Sequence, residues 1–595
     1  MNILLEKHFE KCGFDSDFFT TYEDKATDEM QNVRTLCEQL YDIKRNNRQI
    51  VLYTDFDVDG IMSSVVGYAG LSELDFNVQL FAPTPAAGYG FRTNDVDDIM
   101  NLYPEATVIL TGDVGISSNE AIEYAQSKGF TVLVTDHHIE NTNQVCNADV
   151  AVNPNQIGET YSHNGICGSY VLYEVIRTFV EMYGTNTQKT DIEKLKLFAG
   201  IATISDTMPL LYDNRDLVRN SVFMARQLLD NDVFQVLTDN PHSLVYVRAF
   251  VGMKELLAYF RKIRKIKKAG DIDEQFYGFY LVPFLNSCKR MDGDMRKVYD
   301  IFFSVYVHPF REFPNISCVE NGIEYVRCMS EERKVLTAQY FAALTNEREE
   351  DITENAHYMQ CGVYITDARA GLLGLLGSKF IGITEQPTLV VNENEDGSYS
   401  GSGRNPEWFN FTAELQAYGS NIACSGHKEA FGVFIPNKDE LLNYFRFFRD
   451  VFLPAQALML LEAGDVSTVA SVSYDDGADC ILNKALIKEF MREKELYRPF
   501  GRAFPEPVFD FYVTDDSSIK HTIFGSDNQH IKLTMPDGLQ ILLFYQREIY
   551  EQFAAQTEGN LHLVCRGTFH YDDFNRNEPD AVNFIANEFW LANEV

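Results

Sequence analysis

One short stretch constrains the fold of this 595-residue chain more than any other: Ile50-Val51-Leu52-Tyr53-Thr54-Asp55-Phe56-Asp57-Val58-Asp59-Gly60. A short apolar run that ends in polar residues and glycine is typical of a buried strand leading into a loop. Open α/β sheets bind their ligands beyond the carboxyl ends of the strands, which is where Asp55, Asp57 and Asp59 fall. These carboxylates repel one another unless a cation lies between them, and hard divalent cations prefer oxygen ligands. A solvated acidic turn is the alternative, since aspartate is common in turns.

Two later apolar runs repeat this pattern. They end at Asp113 and at Asp136-His137-His138. Each run precedes a segment that favours a helix, and parallel strands joined by helices bring their carboxyl ends to one edge of a sheet. Asp206 is a fourth candidate. Aspartate combined with histidine suits Mn²⁺ or Mg²⁺ better than a structural zinc ion, so the pattern predicts a metal site on a doubly wound parallel sheet.

These stretches resemble the motifs of the DHH phosphoesterase superfamily, and within it the RecJ-like single-stranded-DNA exonucleases. The first three motifs match Asp55-Phe56-Asp57-Val58-Asp59-Gly60, Asp113-Val114-Gly115 and Asp136-His137-His138, and Asp206 matches the fourth. The resemblance implies two divalent ions, Mn²⁺ or Mg²⁺, as cofactors. It implies as metal ligands Asp55, Asp57, Asp59, Asp113, His137 and Asp206.

The resemblance also implies how these residues divide the work. Asp113 is expected to bridge the two ions, with Asp57 on one ion and Asp59, His137 and Asp206 on the other. Asp55 and Asp136 are expected to bind an ion or to orient their neighbours, and His138 to contact the scissile phosphate. The expected catalytic residues are Asp113, Asp136 and His138. Some relatives carry a histidine at the position of Tyr53. In this chain a water is expected to take the place of that histidine among the ligands of one ion.

Two glycine-rich stretches each have two interpretations. Gly88-Tyr89-Gly90 matches a loop of RecJ-like proteins that is usually preceded by a phosphate-binding arginine. In this chain Pro85 stands near the place of that arginine, and Arg92 is the candidate to replace it. The same glycines also fit a structural turn. Gly165-Ile166-Cys167-Gly168-Ser169 precedes an apolar helix, where glycine permits either phosphate binding or, as we favour, close packing.

Three further motifs carry the substrate-binding expectations. Residues 283–291 resemble the RecJ stretch Pro-x-x-Asn-Ala-x-Gly-Arg-Met, with Ser287 and Lys289 in place of alanine and glycine. Ser402-Gly403-Arg404 and Ser425-Gly426-His427 resemble the Ser-Gly-Arg and Gly-Gly-His signatures of the DHH-associated domain. A hydroxyl beside a guanidinium binds phosphate with good geometry. The expected substrate-binding residues are Arg92, Arg290, Ser402, Gly403, Arg404, Gly426 and His427.

Composition limits the remaining choices. A net charge of −36 is unusual for a nucleic-acid enzyme, although basic residues need only line one groove. Six of the eight residues in the run Arg261–Lys268 are basic. On a helix, Arg261, Arg264, Lys265 and Lys268 would share a face, which would either contact nucleic acid or simply be exposed to solvent. Scattered cysteines without a Cys-x-x-Cys pair, and a start unlike a signal peptide, favour the cytoplasm.

The chain is long enough for several domains. Its short C-terminal strands predict a small barrel that binds nucleic acid or merely braces the other domains. The predicted organisation is a helical segment (1–48), a DHH catalytic domain (49–235), a helical connector (236–350), a second α/β, DHH-associated domain (351–455) and an OB-fold-like barrel (456–595).

The function that the resemblance implies is stepwise 5′→3′ hydrolysis of single-stranded DNA to 5′-mononucleotides by a monomer. A single-strand-binding protein or other repair and replication proteins are the expected partners. Two alternatives stay open: a phosphodiesterase for short oligonucleotides or cyclic dinucleotides, and a non-catalytic scaffold for replication complexes. The length of the chain beyond the DHH domain disfavours the first alternative. The intact acidic and histidine positions disfavour the second.

Overall fold

The computed structural model divides the chain into two compact units, residues 26–459 and residues 1–25 with 460–595. The segment 1–48, which we predict as one helical segment, therefore divides between them: the helix Ile3–Lys11 lies in the second unit and Val33–Arg45 in the first. The other predicted domain boundaries stay predictions. The structure describes residues 1–14, 29–85, 88–140, 144–237, 242–303, 316–349, 359, 361–426, 428–463, 469–474, 478–525, 528–557, 560–572 and 581–592.

The first sheet of the larger unit is the predicted parallel one. Its strands follow the order β2-β1-β3-β4-β5 and all pairs are parallel. The intervening helices Val58–Glu73, Thr93–Leu102 and Asn119–Ser127 leave the sheet buried on both faces, which confirms the doubly wound architecture. The strands are β1 (Gln49–Thr54), β2 (Val78–Phe81), β3 (Ala106–Gly112), β4 (Thr131–Thr135) and β5 (Val150–Val152).

Helices follow this sheet. The basic run Arg261–Lys268 is not helical throughout. The helix ends at Lys262 and Arg264 has a left-handed φ of 60°, so the predicted basic helix face does not form. The helical elements are Gly168–Tyr183, Asn186–Glu193, Lys196–Ser205, Tyr212–Asp230, Val233–Val236, Leu244–Lys262, Ala269–Asp271, Glu274–Phe276, Tyr277–Leu281, Val282–Arg290, Arg296–Phe303 and Ile316–Glu349.

A second sheet of the larger unit has the order β6-β7-β8-β10-β9. Only β6 and β7 pair in parallel, and the other pairs are antiparallel. Stacked aromatic rings such as Phe411 and Phe431 fill its core. Its elements are β6 (Val363–Ile365), Ala370–Thr384, β7 (Thr388–Glu393), β8 (Tyr399–Arg404), Phe411–Ala417, β9 (Ala423–Gly426), β10 (Ala430–Ile435), Lys438–Phe447, Phe448–Phe452 and Leu453–Ala463.

The second unit is built on a mixed eight-stranded sheet of order β12-β11-β13-β17-β18-β16-β15-β14. The helix Ile3–Lys11 packs against Lys484–Lys494 and β11, so the two ends of the chain share one core. Among the described residues, no helix is both long and apolar enough to span a bilayer. The elements are β11 (Ala470–Ser473), β12 (Cys480–Ile481), Lys484–Lys494, Glu495–Tyr497, β13 (Phe509–Asp515), β14 (Lys520–Phe524), β15 (His530–Thr534), β16 (Gln540–Leu543), Arg547–Gln556, β17 (Leu561–Tyr571) and β18 (Val582–Leu591).

Candidate metal centre and active site

The predicted acidic residues meet at the carboxyl edge of the first sheet. Asp55, Asp113 and Asp136 directly follow β1, β3 and β4, and Asp206 caps the helix Lys196–Ser205. Three groups of side chains bring one ligand atom each within 4.8 Å of the others. Asp113 belongs to all three groups, as expected of a bridging ligand. The groups are Asp59/Asp113/His137/Asp206, Asp55/Asp57/Asp113 and Asp113/His137/His138.

The first group, which we name the histidine end, surrounds the imidazole of His137. Its Nε2 lies 3.2 Å from Asp113 Oδ1, 3.3 Å from Asp206 Oδ2 and 3.7 Å from Asp59 Oδ2. In the described part of the chain, His137 Nε2 and Asp113 Oδ1 are buried without a hydrogen-bond partner. Because buried polar atoms normally have a partner, this set of oxygen and nitrogen donors fits a divalent ion.

Main-chain donors hold Asp59 in place. The backbone N–H groups of Gly168 and Ser169 donate to its two carboxylate oxygens at 2.6 and 2.8 Å, and Ser169 Oγ lies 2.5 Å from Oδ1. The N-terminus of the helix Gly168–Tyr183 thus binds a carboxylate of the chain itself, because its N–H groups lack partners within the helix. This is a third role for the glycine-rich stretch, beyond the phosphate binding and packing that we considered.

Two close contacts at the centre require glycine. A Cβ on Gly168 would lie 2.6 Å from both Cβ and Oδ1 of Asp113, and one on Gly60 would lie 2.1 Å from the carbonyl oxygen of Asp55. Asp113 itself has a left-handed φ of 63°, which is uncommon outside glycine and is often found at functional sites. The backbone around the proposed bridging ligand is therefore tightly specified.

The second group, which we name the lysine end, contains a cation from another helix. Asp57 caps the helix Val58–Glu73 through Oδ1, which accepts the N–H groups of Asp59 and Gly60. Its Oδ2 lies 3.2 Å from Lys289 Nζ, and Asp55 Oδ2 lies 3.8 Å from the same atom. The lysine end therefore combines two aspartates and the shared Asp113 with an ammonium group.

The pKa values show how crowded the negative charge is. Burial, followed by repulsion from a neighbouring carboxylate, raises the pKa of Asp55 to about 7 and that of Asp59 to about 6, and raises the pKa of Asp113 well above its usual range. Burial also opposes ionisation of Asp57, but the Lys289 ammonium lowers the pKa of Asp57 below its usual value. A divalent ion would offset this repulsion between buried carboxylates, and its binding requires their deprotonated form.

His138 lies beside the centre in a different environment. Burial alone would raise the pKa of Asp136, but His138, whose Nδ1 lies 2.8 Å from Oδ1, lowers it to about 2. Asp136 also accepts backbone N–H groups from Ile116, His137 and His138. Asp136 therefore orients the Asp-His-His segment and stays ionised.

Tyr89 completes this side of the centre. Its hydroxyl lies 3.2 Å from His138 Nε2, and its neighbours Gly88 and Gly90 both have a φ of 99°. Both glycines are therefore needed for the backbone conformation, which supports the structural interpretation of this loop and gives Tyr89 a place in the site.

Tyr53 and Arg92 lie in a local network. Tyr53 Oη donates to the Gly90 carbonyl and to Asp95, each at 2.9 Å, so its side chain is engaged away from the clustered carboxylates. Arg92 donates to both oxygens of Asp95 at 2.9 and 2.8 Å at the start of the helix Thr93–Leu102. Arg92 therefore has a capping role here, while its Nη1 is buried without a hydrogen-bond partner among the described residues, and its contact with a substrate stays a prediction.

Arginines gather on the side of the centre that faces Asp57. Burial and the like charges of Arg333 and Arg404 lower the pKa of Arg290 to about 10, although the negative charge of Asp57 opposes this shift. Arg404 is held by Ser402 Oγ at 2.9 Å and by Ser378 Oγ at 3.0 Å. Arg333 is buried, and its Nε has no hydrogen-bond partner among the described residues. We name these three neighbouring side chains the arginine cluster, and guanidinium groups so close together suit a phosphate.

The glycines of the two signatures have structural reasons. A Cβ on Gly403 would lie 2.2 Å from the ring of Phe431, and Gly426 has a φ of 127°. Contact of either glycine with a substrate stays a prediction. His427 lies outside the described residues.

Three residues near the centre are not predicted from local sequence patterns. Lys289 differs from the motif only by replacing a glycine, and Arg333 lies on a long helix without a local pattern. Ser169 lies in a stretch whose pattern predicts only phosphate binding or packing. In each case the signal is a contact between segments distant along the chain.

Comparisons with known proteins agree with this architecture. The DHH family, N-terminal domain, matches residues 49–202, and the RecJ OB domain matches residues 479–578. The single-stranded-DNA-specific exonuclease RecJ of Escherichia coli K12 is 23% identical over 498 residues, which cover 81% of this chain and 78% of the relative. The Haemophilus influenzae RecJ is 24% identical over 527 residues, covering 85% and 82%.

The crystal structure of RecJ in complex with Mn²⁺ from Thermus thermophilus shares the fold. Its TM-score is 0.69 at 17% identity, and the match covers 99% of this chain and 76% of that one. The Mg²⁺ complex from the same organism has a TM-score of 0.63 at 15% identity and covers 100% and 75%. The two family matches fall on the part of the chain that carries the acidic centre and on the C-terminal mixed sheet, and the chain is similar to RecJ over most of its length.

Proposed function

We propose that this protein is a metal-dependent exonuclease that degrades single-stranded DNA from its 5′ end and releases 5′-mononucleotides. The observation that carries the proposal is a shared carboxylate, Asp113, between two groups of side chains that could hold a metal ion, near the arginine cluster. The curated relatives are named single-stranded-DNA-specific exonucleases. The 5′→3′ direction rests on the resemblance to RecJ.

The residues of the centre divide into two ligand sets. Asp113 would bridge two ions, Asp59, His137 and Asp206 would hold one at the histidine end, and Asp55 and Asp57 the other at the lysine end. When bound, two divalent ions supply the Lewis acidity that promotes attack of water at phosphorus and neutralises charge on its oxygens. The donors of Gly168 and Ser169 keep Asp59 in place, as groups around metal ligands commonly do.

His138 would act on the substrate directly. Its ring is fixed by Asp136 on one nitrogen and by Tyr89 on the other side. Burial lowers the pKa of His138, but Asp136 raises it above its usual value overall, which favours the imidazolium. A cationic donor held in this way stabilises the negative charge that develops on a phosphate oxygen.

The arginine cluster would hold a phosphate of the terminal nucleotide. Arg290 and Arg404 are both part of the predicted substrate site, and Arg333 joins them from the helix Ile316–Glu349. Asp57 is among the charges that act on Arg290. A DNA strand whose phosphate is bound by the arginines would therefore have its next phosphodiester close to the lysine end. A phosphate held in this way orients the next bond for hydrolysis.

An aromatic patch on the second unit would hold bases of the strand. Phe524, His530, Phe544 and Tyr545 form a cluster with ring centroids 4.4 to 5.6 Å apart. Phe544 and Tyr545 are exposed, and bases stack on exposed rings without regard to sequence. This patch supports a nucleic-acid role for the barrel over a purely structural one.

We also propose that the protein acts as a monomer in the cytoplasm. The ten described cysteines are free, in keeping with a reducing compartment. Contact with a single-strand-binding protein stays a prediction.

End-labelled DNA tests the proposed function. A long single-stranded DNA carries its label at the 5′ or the 3′ end and is incubated with Mn²⁺ and the wild type, Asp113→Ala or Asp230→Ala. Asp230 is exposed and pairs with Arg261, so Asp230→Ala is a control for the loss of one carboxylate. We expect the wild type to release labelled mononucleotide immediately, and only from the 5′-labelled strand. With Asp113→Ala this release should be at least about 1,000-fold slower.

Three results would reject the proposal. Failure of the wild type to cut long strands, with cleavage of dinucleotides or cyclic dinucleotides, would favour the small-substrate enzyme. Equal cleavage rates for wild type and Asp113→Ala would remove the metal centre from catalysis, and absence of cleavage of every substrate by the wild type would favour the scaffold.

A further inference from the structure

We propose that Lys289 makes the two ends of the metal centre unequal: its ammonium competes with a divalent ion at the lysine end, so the histidine end fills first. The inference rests on the proposed metal centre, but its test measures ion binding and not DNA cleavage.

The position of Lys289 carries the argument. Its Nζ lies 3.2 Å from Asp57 Oδ2 and 3.8 Å from Asp55 Oδ2, between the two carboxylates that complete this end. The Phe56 ring lies beneath it, with the centroid 4.9 Å from Nζ. The side chain is thus guided to this place on two sides, by charge and by an aromatic face.

Lys289 is a departure from the motif that this segment resembles. Lys289 stands where the motif that it resembles has glycine, next to Arg290 in the last turn of the helix Val282–Arg290. A glycine would place no charge at this site. One departure from the motif therefore adds a cation to the centre.

Competition follows from the geometry. A divalent ion binds carboxylate oxygens at about 2.0–2.2 Å, so an ion shared by Asp55 and Asp57 would lie in the space that the ammonium occupies. Two cations so close repel each other, and Lys289 must leave before the ion can bind. No described lysine or arginine forms an ion pair with the carboxylates of the histidine end, where His137 is the basic partner.

The consequence is an order of filling. The histidine end offers Asp59, Asp113, His137 and Asp206 to an ion without displacing a lysine. The lysine end releases its ammonium first, and the phosphate of an arriving strand is a new anionic partner for that ammonium. The second ion would then be bound firmly only when substrate is present.

Mn²⁺ titration of the full chain tests the inference. Protein freed of metal by a chelator is titrated with Mn²⁺, and binding is measured by calorimetry and by the electron paramagnetic resonance signal of free Mn²⁺. We expect two sites of unequal affinity in the wild type. In Lys289→Met the weaker site tightens by about 10- to 100-fold, while the tighter site changes by less than about threefold.

Two further variants isolate the charge at this position. Lys289→Arg keeps a cation and is expected to keep the weak site. Lys254→Met removes a lysine whose ammonium donates to the Asn231 carbonyl, outside the groups of candidate metal ligands, and is expected to match the wild type. Thermal unfolding of every variant confirms that the compared proteins are folded.

The outcomes separate this inference from the proposed function. Two equal sites in the wild type, or a weaker site that does not tighten in Lys289→Met, would overturn the role of Lys289 alone. Absence of Mn²⁺ binding would overturn the metal centre together with this inference. Ordered binding without DNA cleavage would support the inference while rejecting the exonuclease.

Discussion

The histidine end and the lysine end share Asp113 but are supported by different parts of the chain. At the histidine end, backbone N–H groups of Gly168 and Ser169 hold Asp59, and buried His137 faces three carboxylates. At the lysine end, the long side chain of Lys289 approaches Asp57 and Asp55 from another helix.

This difference separates a fixed ligand set from an adjustable one. Backbone donors move only with their helix, so the histidine end is preorganised for an ion. A lysine side chain rotates about several bonds and exchanges partners at little cost, so the lysine end can be open or closed. Each variant below tests whether the two ends respond separately.

The largest effect is expected for Gly168→Ala, which should disturb both ends. Its new methyl would lie 2.6 Å from Cβ and Oδ1 of Asp113 and 2.7 Å from its Cα, so the bridging residue must shift. We expect Mn²⁺ affinity to fall about 100-fold at both sites, since displaced ligands cost this much in metal binding. Calorimetric titration measures both affinities.

Gly382→Ala provides the matched control for this prediction. At Gly382 an added methyl meets no described atom within 4 Å, and the residue lies in the helix Ala370–Thr384. It should bind Mn²⁺ like the wild type. If Gly168→Ala weakened only one site, Asp113 would not be the shared ligand.

A smaller effect, confined to the histidine end, is expected for Ser169→Ala. The change removes the hydroxyl 2.5 Å from Asp59 Oδ1 but leaves both backbone donors. We expect the tighter Mn²⁺ site to weaken about 10-fold and the weaker one to stay unchanged. Ser63→Ala, which removes a buried hydroxyl 3.2 Å from that of Ser169, is the control. Equal weakening of both sites would show that the ends are not independent.

The sequence was sufficient to predict which candidate ligands come together, but not which residues support them. Alternating aspartates after a buried strand indicate a sheet edge, and the structure does bring Asp55, Asp113 and Asp136 to that edge. The contacts of Lys289 and Ser169 join residues more than 100 positions apart. Local patterns do not contain such pairings, because tertiary packing decides them.

One expectation is wrong for a local reason. Six basic residues in eight favour a helix face, but the left-handed φ of Arg264 ends the helix before the face forms. The phosphate contact of Arg92 stays a prediction, although Asp95, three residues along the chain, accepts two hydrogen bonds from its guanidinium. Composition does not reveal local backbone or side-chain partners of this kind.

The smallest effect is expected for Phe56→Leu, which should act only at the lysine end. The ring lies under Lys289, and a cation over an aromatic face gains about 0.5–2 kcal/mol. Without the ring the ammonium leaves more easily, so the weaker Mn²⁺ site should tighten about threefold while the tighter site does not change.

The same substitution in the Lys289→Met background decides the cause. If the ring acts through the ammonium, Phe56→Leu has no effect on Mn²⁺ affinity once Lys289 is gone, and the double-mutant cycle gives the whole change as coupling. If the weaker site tightens equally in both backgrounds, the ring acts through packing of the loop that carries Asp55 and Asp57. Phe56 is buried, so thermal unfolding measures the packing loss separately from Mn²⁺ affinity. If the threefold change in Mn²⁺ affinity appears only when Lys289 is present, this single side chain accounts for the difference in Mn²⁺ affinity between the two ends.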